Sequence, residues 1–256
     1  MNKKYIVAAN WKMNRKFNET IEFCTKNLEP LVDISQHKLI NLIICPSFIS
    51  IYPLCNIFKE TKVNIGGQDC SNYTKGSFTG QVSAKSLHEA GCNYCIIGHS
   101  ETRKYKCDTD KEIAQKFVHL IDFDISPILC VGENKEEYEA GKAISVIEKQ
   151  LVNIFTILNT ARISEYLTPC IAYEPIWSIG TGKIPSEDHL NSIFAWLSNK
   201  IASLKTHAKL KFLYGGSLDE NNVENFKSIK QIDGFLIGGA SLDIKKLEKI
   251  TKKLTS

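Results

Sequence analysis

The chain has 256 residues, of which 43% are hydrophobic and 23% charged, as is ordinary for a globular protein with a large core. Its formal charge of +4 comes from basic residues interleaved with acidic ones, so no basic block predicts binding to nucleic acid or to an anionic membrane. No apolar run approaches the roughly 20 residues of a membrane span. The apolar stretch near the N-terminus is too short for a signal peptide, and we expect a cytoplasmic protein.

Short apolar segments recur along the chain, separated by longer stretches with helical spacing of apolar residues. The segments predict eight β-strands at residues 5–10, 39–45, 63–68, 94–98, 126–131, 170–174, 211–214 and 234–237. The stretches between them predict helices, among them residues 135–158, 186–205 and 242–254. Strands that are apolar almost throughout are buried on both faces. The sequence therefore predicts an α/β protein in which residues 1–256 form one closed (β/α)8 barrel domain rather than an open doubly wound sheet.

Polar or glycine-rich residues cluster directly after five of the predicted strands. They are Asn10-Trp11-Lys12, Gly98-His99-Ser100-Glu101, Glu174-Pro175, Gly215-Gly216-Ser217 and Gly238-Gly239. In a barrel of this kind the carboxyl ends of the strands form the active-site face. We therefore expect these five clusters to meet at one mouth of the barrel.

The nine cysteines are scattered and mostly lie inside apolar runs, which predicts buried free thiols rather than a disulfide framework. One close pair, Cys92-Asn93-Tyr94-Cys95, has the spacing of a zinc or redox motif. No second pair and no paired histidines follow it, and we expect no metal site. The chain also lacks a dinucleotide-binding fingerprint and a Walker motif, so we expect no cofactor.

Several short motifs, in this order and with barrel spacing, resemble the triosephosphate isomerase family. The motifs are Ala9-Asn10-Trp11-Lys12-Met13-Asn14, Gly98-His99-Ser100-Glu101, Cys130-Val131-Gly132-Glu133, Ala172-Tyr173-Glu174-Pro175-Ile176-Trp177, Ile179-Gly180-Thr181-Gly182-Lys183, Tyr214-Gly215-Gly216-Ser217 and Gly238-Gly239-Ala240-Ser241-Leu242. The resemblance implies a TIM barrel that interconverts glyceraldehyde 3-phosphate and dihydroxyacetone phosphate, in glycolysis and gluconeogenesis. Its reaction is a proton transfer through an enediolate, with a small triose phosphate as substrate.

An aldose–ketose isomerisation needs a base for a carbon-bound proton and donors for the charge that forms on oxygen. The resemblance implies that Glu174 is the base, that His99 is a neutral electrophile and that Lys12 supplies a cation, with Asn10 orienting Lys12 and the substrate. On residue type alone, a glutamate at the position of Glu174 is more often a solvated loop carboxylate, and a lysine at the position of Lys12 is more often a surface charge. The other histidines, assigned structural places in helices or at helix ends, are His37, His88, His119, His189 and His207.

Glycine-rich turns predict a phosphate site, because their backbone N–H groups bind an anion without bringing a charge of their own. The residues that match are Gly180, Ser217, Gly238 and Gly239, and the resemblance adds Asn10 and Lys12 to the substrate contacts. Glycines also serve as plain turns. The stretch from Gly180 to Lys183 is not a P-loop, because Trp177 and Ile184 stand where that motif requires Gly and Ser or Thr.

Residues 175–183 resemble the family's mobile lid, which excludes water from the reacting centre. The residues expected around the catalytic groups and in the lid are Glu101, Cys130, Ile179, Tyr214 and Leu236. Of these, Glu101 would hold Lys12, Ile179 and Leu236 would clamp over Glu174, and Tyr214 would bond the backbone near Ser178. Ser178 itself departs from the family, in which Ala is usual, and we predict a small effect.

The long segment 69–83 resembles the family's dimerisation loop, with Phe78 and Thr79 near its tip, and implies a homodimer. Gln81 and Thr102 stand where the family usually has an acid and a base. We interpret this joint change as loss of an interface ion pair, which would make the dimer less sensitive to salt. Asp69 stands where Asn is typical, and the sequence offers no reason for it.

Two other functions compete with this interpretation. Another phosphate-binding barrel, such as an indole or phosphoribosyl pathway isomerase, shares the late phosphate loops but not the combination of Asn10, Lys12, His99 and Glu174. A catalytically inactive relative that serves as a binding protein is the second, and the presence of all four residues argues against it.

Overall fold

The computed structural model describes residues 3–256 and contains eight parallel strands. These are Tyr5–Asn10 (β1), Ile40–Cys45 (β2), Asn64–Gly67 (β3), Tyr94–Ile97 (β4), Ser126–Val131 (β5), Cys170–Tyr173 (β6), Lys211–Tyr214 (β7) and Gly234–Ile237 (β8). Each strand pairs with the next in the chain, and β8 closes onto β1. The predicted (β/α)8 barrel is confirmed.

The alternation of side chains along each strand determines what reaches the barrel interior. On β1, Ile6 and Ala8 point into the small inner core, whereas Val7 and Ala9 pack outward against the helices. Because successive inward residues are two apart, Asn10 continues the inward series at the carboxyl end of its strand. On β6, Ala172 points inward, and Glu174, two residues later, therefore points inward as well. Strand parity therefore aims two predicted catalytic residues into the barrel mouth.

Ten α-helices surround the barrel in the described part of the chain. They are Phe17–Lys26 (α1), Leu28–Gln36 (α2), Ile51–Ile57 (α3), Ala84–Glu89 (α4), Ser100–Tyr105 (α5), Asp110–Asp122 (α6), Lys135–Glu139 (α7), Ala143–Thr160 (α8), Glu187–Ala202 (α9) and Ile244–Thr255 (α10). Several begin at side-chain caps; at α6, Thr109 and Glu112 form a reciprocal capping box. None of these helices combines the length and the apolar character that crossing a bilayer requires.

The predicted boundaries were wrong in a few places. The single helix predicted over residues 135–158 is two helices, α7 and α8, because Gly141 adopts φ 68°, which ends α7 and redirects the chain. The strand predicted to reach Gly98 ends one residue earlier, since Gly98 itself has φ 65°. His207 lies in the irregular segment between α9 and β7, not in or beside a helix.

Candidate active site

The predicted catalytic and phosphate-binding residues line one cavity at the carboxyl end of the barrel. The cavity has a volume of about 380 Å³. Its wall includes all eight of these residues: Asn10, Lys12, His99, Glu174, Gly180, Ser217, Gly238 and Gly239. Ile179 and Leu236, the predicted apolar clamp, line it as well. Groups that are distant in sequence therefore face one shared space of the size of a small ligand.

A buried carboxylate and imidazole form the centre of this cavity. The Glu174 side chain is almost fully enclosed, and its Oε1 lies 3.1 Å from Nε2 of His99. Its Oε2 accepts the backbone N–H of Ser100 at 3.3 Å. Burial raises the pKa of Glu174, but His99, the Ser100 N–H and Lys12 together lower it by more, and the net direction is downward. Glu174 is thus held as the carboxylate, the form that a base requires.

His99 is held between the start of a helix and this carboxylate. It is the N-cap of α5, where its Nδ1 accepts the backbone N–H of Glu101 at 3.1 Å. This bond leaves Nε2 as the nitrogen that carries the proton in the neutral ring, directed at Glu174. Burial lowers the pKa of His99, while the Glu174 carboxylate raises it by more. The ring can therefore present one N–H to the cavity.

Lys12 reaches the same cavity from a strained backbone position. Its φ of 49° lies in the left-handed region, which costs a non-glycine residue on the order of 1 kcal/mol. Its N–H donates to Asn10 Oδ1 at 3.1 Å, and its carbonyl accepts from the Gln68 amide at 2.8 Å. The Nζ atom lies 2.7 Å from Glu101 Oε1. Hydrogen bonds thus fix both the backbone and the ammonium group.

Gln68 is a residue that the sequence interpretation missed. Its amide donates both to the Lys12 carbonyl and, at 3.0 Å, to the carbonyl of Cys45 at the end of β2. It thereby joins the ends of two strands to the turn that carries the ammonium group. The one indication of this role in the sequence was that Gln68 is a polar residue directly after β3.

Two glycines leave the space that Glu174 occupies. A β-carbon on Gly215 would lie 2.9 Å from Glu174 Cγ, and one on Gly132 would lie 1.8 Å from the Glu174 carbonyl oxygen. Both distances are shorter than the normal van der Waals contact of a β-carbon with a carbon or an oxygen atom. Both positions belong to motifs noted in the sequence, but their steric role depends on a neighbour in another strand. The thiol of Cys130, on the adjacent β5, is fully buried, and burial together with the Glu174 charge raises its pKa.

The predicted lid, residues 175–183, is tied to the loop after β7. The buried Ser178 hydroxyl donates to the Lys183 carbonyl at 2.6 Å and accepts the backbone N–H of Ser217 at 3.2 Å. Gly182 N–H donates to the Ser217 hydroxyl at 3.3 Å. The Tyr214 hydroxyl lies 3.5 Å from the Ser178 hydroxyl. The Ser178 N–H and carbonyl bond other lid and loop groups in this structure, and the bond from Tyr214 to backbone near Ser178 in the closed lid stays a prediction.

A second polar group that the sequence interpretation missed supports the start of the lid. The fully buried Glu133 accepts from Trp177 Nε1 at 2.8 Å and from the Tyr173 hydroxyl at 3.0 Å. His189 Nε2 lies 2.7 Å from that same hydroxyl. Burial raises the pKa of Glu133. Glu133 directly follows β5, and that position was the signal available in the sequence.

Comparison with known proteins identifies the family. A sequence model described as triosephosphate isomerase matches residues 5–254 of the chain. The chain belongs to the triosephosphate isomerase family. It is 39% identical over 249 residues to the triosephosphate isomerase of Aquifex aeolicus (strain VF5), covering 96% of this chain and 97% of that one. It is 36% identical over 252 residues to the triosephosphate isomerase of Endomicrobium trichonymphae, covering 98% of each.

Membership in the triosephosphate isomerase family confirms the predicted activity. The protein is an isomerase that interconverts glyceraldehyde 3-phosphate and dihydroxyacetone phosphate, a step of glycolysis and gluconeogenesis. The alternative of an indole or phosphoribosyl pathway isomerase is wrong, since the family match covers nearly the whole chain.

In this member of the triosephosphate isomerase family, the long loop after β3 is anchored by an ion-pair network. Lys116 of α6 is 4% exposed, and its Nζ lies 2.8 Å from Asp69 and 2.7 Å from Asp108. Lys106 lies 3.1 Å from the second oxygen of Asp69. The acid that sequence reasoning left unexplained thus partners a buried ammonium group of the same chain.

Proposed function

We propose that Glu174 is the base that moves the proton between the two reacting carbons of the triose phosphate. Its place between His99 and the cavity and its ionised form support this role, since a general base must be deprotonated and within reach of the proton that it takes. In the proposed step, Glu174 takes the carbon-bound proton, an enediolate forms, and the same carboxyl group returns the proton to the neighbouring carbon. One group with one proton accounts for both directions of the reaction.

His99 and Lys12 stabilise the negative charge that develops on the substrate oxygens. The His99 ring offers its Nε2–H, and the Lys12 ammonium offers a positive charge. Asn10 fixes the Lys12 backbone and contributes an amide to the cavity. The ion pair between Lys12 and Glu101 supports a role for Glu101 in holding the ammonium group at the cavity edge.

The substrate phosphate binds at the backbone N–H groups of Gly180, Ser217, Gly238 and Gly239. All four residues line the cavity, and Gly239 begins a short 3-10 helix, Gly239–Leu242. The Ser217 N–H donates to the Ser178 hydroxyl at 3.2 Å. Binding of phosphate therefore displaces the Ser178 hydroxyl from this donor, and residues 175–183 adjust as the lid closes.

Three neighbours keep the reacting carboxylate dry and oriented. Ile179 and Leu236 supply apolar surface on the lid side and on the β8 side of the cavity. Cys130 contributes a thiol whose pKa is raised well above its usual range by burial and by Glu174, so it acts as a neutral neighbour. Exclusion of water strengthens every electrostatic interaction in the cavity.

The convergence of carboxylate, imidazole and ammonium on one cavity of about 380 Å³ carries this proposal. It is tested by a coupled assay on glyceraldehyde 3-phosphate with the native chain, Glu174→Gln and the control Glu187→Gln, an exposed carboxylate in the first turn of α9. We expect Glu174→Gln to lose at least about a thousandfold in kcat and Glu187→Gln to keep native activity. A native chain that binds a phosphate-bearing transition-state mimic but turns over no substrate would instead support the inactive binding protein.

We further propose that the protein is a homodimer. A groove of about 330 Å³ reaches Lys12 and His99 from the side and is bordered by the exposed Met13 and Tyr105, whose side chains are 94% and 73% exposed. Exposed apolar groups beside a catalytic cavity favour a covering partner. The tip of segment 69–83 from a second copy fits such a groove.

The tip of that segment is preorganised for insertion. Phe78 stacks on Tyr73 with ring centroids 3.8 Å apart, and Thr79 follows it. Gln81 accepts a bond from Ser71 of its own loop, and Thr102 donates to the His99 carbonyl at 2.9 Å. These neutral contacts support an interface with little salt dependence. Sedimentation across an ionic-strength series tests this, and steep dissociation in salt would count against it.

The location and domain organisation also remain proposals. We place the protein in the cytoplasm, where the other reactions of glycolysis take place. We treat residues 1–256 as one domain, because the closed barrel leaves no break between its strands.

A further inference from the structure

Lys246 lines the substrate cavity and has no role among the catalytic and phosphate-binding groups proposed above. It lies in the first turn of α10, where its N–H donates to Asp243 Oδ1 at 3.3 Å. The residue is exposed, and it lines the same cavity of about 380 Å³ as Glu174 and Gly238. No other residue of α10 belongs to that wall. A basic residue is therefore placed at the cavity by a helix that contributes nothing else to it.

The two basic residues of the cavity wall differ in whether they have an ionic partner. Besides the His99 ring, the wall carries the charged residues Lys12, Lys246, Glu174 and Asp219. The Lys12 ammonium group lies 2.7 Å from Glu101. The Lys246 ammonium group forms no ion pair with any carboxylate of residues 3–256. Lys246 is thus the cation of the wall whose charge is not already paired.

The carboxylates of the adjoining segments bond backbone groups. Asp219, in the loop after β7, accepts two N–H groups of its own turn at 2.8 and 3.2 Å. Asp243 Oδ1 accepts the two N–H groups that follow it at the start of α10, at 2.8 and 3.3 Å. Such bonds satisfy these carboxylates locally. The Lys246 ammonium group is therefore available to an anion that enters the cavity.

The charge of the cavity wall depends on Lys246. With it, two basic and two acidic residues line the cavity, and their formal charges cancel. Without it, the wall would carry one net negative charge. The backbone N–H groups of the proposed phosphate site bring no formal charge that would offset it. A phosphate monoester carries a charge of about −1.5 to −2 at pH 7, so a negative wall would disfavour its binding.

We propose that Lys246 is a second cationic binding residue for the phosphate group of the substrate, beside Lys12. This inference rests on the phosphate site proposed above. A lysine suits the role, because its ammonium group is a compact charge on a flexible four-carbon chain and can move toward an anion from the cavity edge. Lys246 raises the affinity for the phosphate group and takes no part in the proton transfer.

This role predicts a change in KM without a change in kcat. The phosphate keeps its charge during the isomerisation, so Lys246 attracts the ground state and the transition state equally, and such uniform binding affects KM alone. Because the residue is exposed, we expect Lys246→Gln to raise KM only about three- to fivefold at low ionic strength. Salt screens exposed charges, and at about 0.5 M sodium chloride the difference should fall below about twofold.

The test compares the native chain with Lys246→Gln, Lys246→Arg and Lys245→Gln. Lys245 is the matched control, because it precedes Lys246 in the same helix, is exposed and does not line the cavity. A coupled assay measures kcat and KM for both triose phosphates at low and high salt, with inorganic phosphate as competing anion. We expect Lys246→Gln to raise KM and the inhibition constant of inorganic phosphate by the same factor, and Lys246→Arg and Lys245→Gln to keep native values.

The outcomes separate this proposal from the phosphate site on which it rests. If inorganic phosphate competes in the native chain, and Lys246→Gln keeps the native KM and inhibition constant, the role of Lys246 is overturned and the phosphate site stands. If the native chain turns over substrate without competition by inorganic phosphate, both proposals are overturned. An equal rise in KM in Lys245→Gln, or a loss in kcat at unchanged KM in Lys246→Gln, would also overturn the role of Lys246.

Discussion

Replacing Ser178 with alanine tests how the lid is held. The substitution removes a hydrogen bond of 2.6 Å to the Lys183 carbonyl and one of 3.2 Å from the Ser217 N–H. Neutral hydrogen bonds contribute about 1 kcal/mol each. Lys183 is exposed, so water can replace the first bond, and the phosphate takes the Ser217 N–H in the proposed complex. The net change is therefore about 1 kcal/mol or less.

A change of this size corresponds to about fivefold in rate, and we expect kcat/KM of Ser178→Ala to stay within tenfold of the native value. A coupled assay with both triose phosphates measures it. Tyr214→Phe is the matched variant, because its hydroxyl lies 3.5 Å from Ser178. At that distance the two changes should add to within about 0.5 kcal/mol in a double-mutant cycle. A loss beyond tenfold in Ser178→Ala, or strong coupling with Tyr214→Phe, would refute this account of the lid.

Three further predictions concern the loop anchor, the Lys12 turn and the buried thiols. Lys116→Met removes the ammonium group that pairs with Asp108 and leaves Asp69 with Lys106 alone, and we expect urea unfolding to show a loss of about 3 kcal/mol. Burial lowers the pKa of Lys116, but Asp69 and Asp108 raise it by more. The charged Lys116 therefore stabilises the folded protein fully below pH 10.5, and this stabilisation is lost as the pH rises through the higher pKa of the folded state. In that alkaline range the native chain should lose stability more steeply than Lys116→Met. Gln68→Ala frees the strained Lys12 turn and should lower kcat/KM by about tenfold or more, whereas an unchanged value would show that Gln68 does not position Lys12. Burial raises the pKa of both Cys24 and Cys45 to about 12, so iodoacetamide at pH 8 should label Cys107 and leave these two thiols unmodified in the folded protein.

The barrel could be predicted from the sequence because each strand is marked by its own run of apolar residues. Almost every residue of β1 and β5 is apolar, and their polar neighbours come directly after the strand ends. Side-chain parity then aims Asn10 and Glu174 inward without any further information. The break between α7 and α8 was missed because the sequence does not show that Gly141, a single glycine in an otherwise helical pattern, has a positive φ.

Contacts between distant segments could not be predicted from single residues. Asp69 looked anomalous until Lys116, 47 residues later, appeared beside it. Gln68 and Glu133 each follow a strand directly, and this position is visible in the sequence. The role of Gln68 depends on the Lys12 carbonyl and that of Glu133 on the Trp177 indole, and both partners come from other elements. Local sequence determines where a polar group sits on its own strand, whereas its partner is determined only by closure of the barrel.

The position of the Glu174 carboxylate is tested most directly by measuring the isomerase activity of the native chain beside Glu174→Asp. The substitution keeps the charge and withdraws the carboxylate by one methylene from His99 and from the proposed substrate position. We predict that kcat falls about a hundredfold or more while the barrel stays folded by circular dichroism. Equal activity of the two proteins would contradict the assignment of Glu174 as the base.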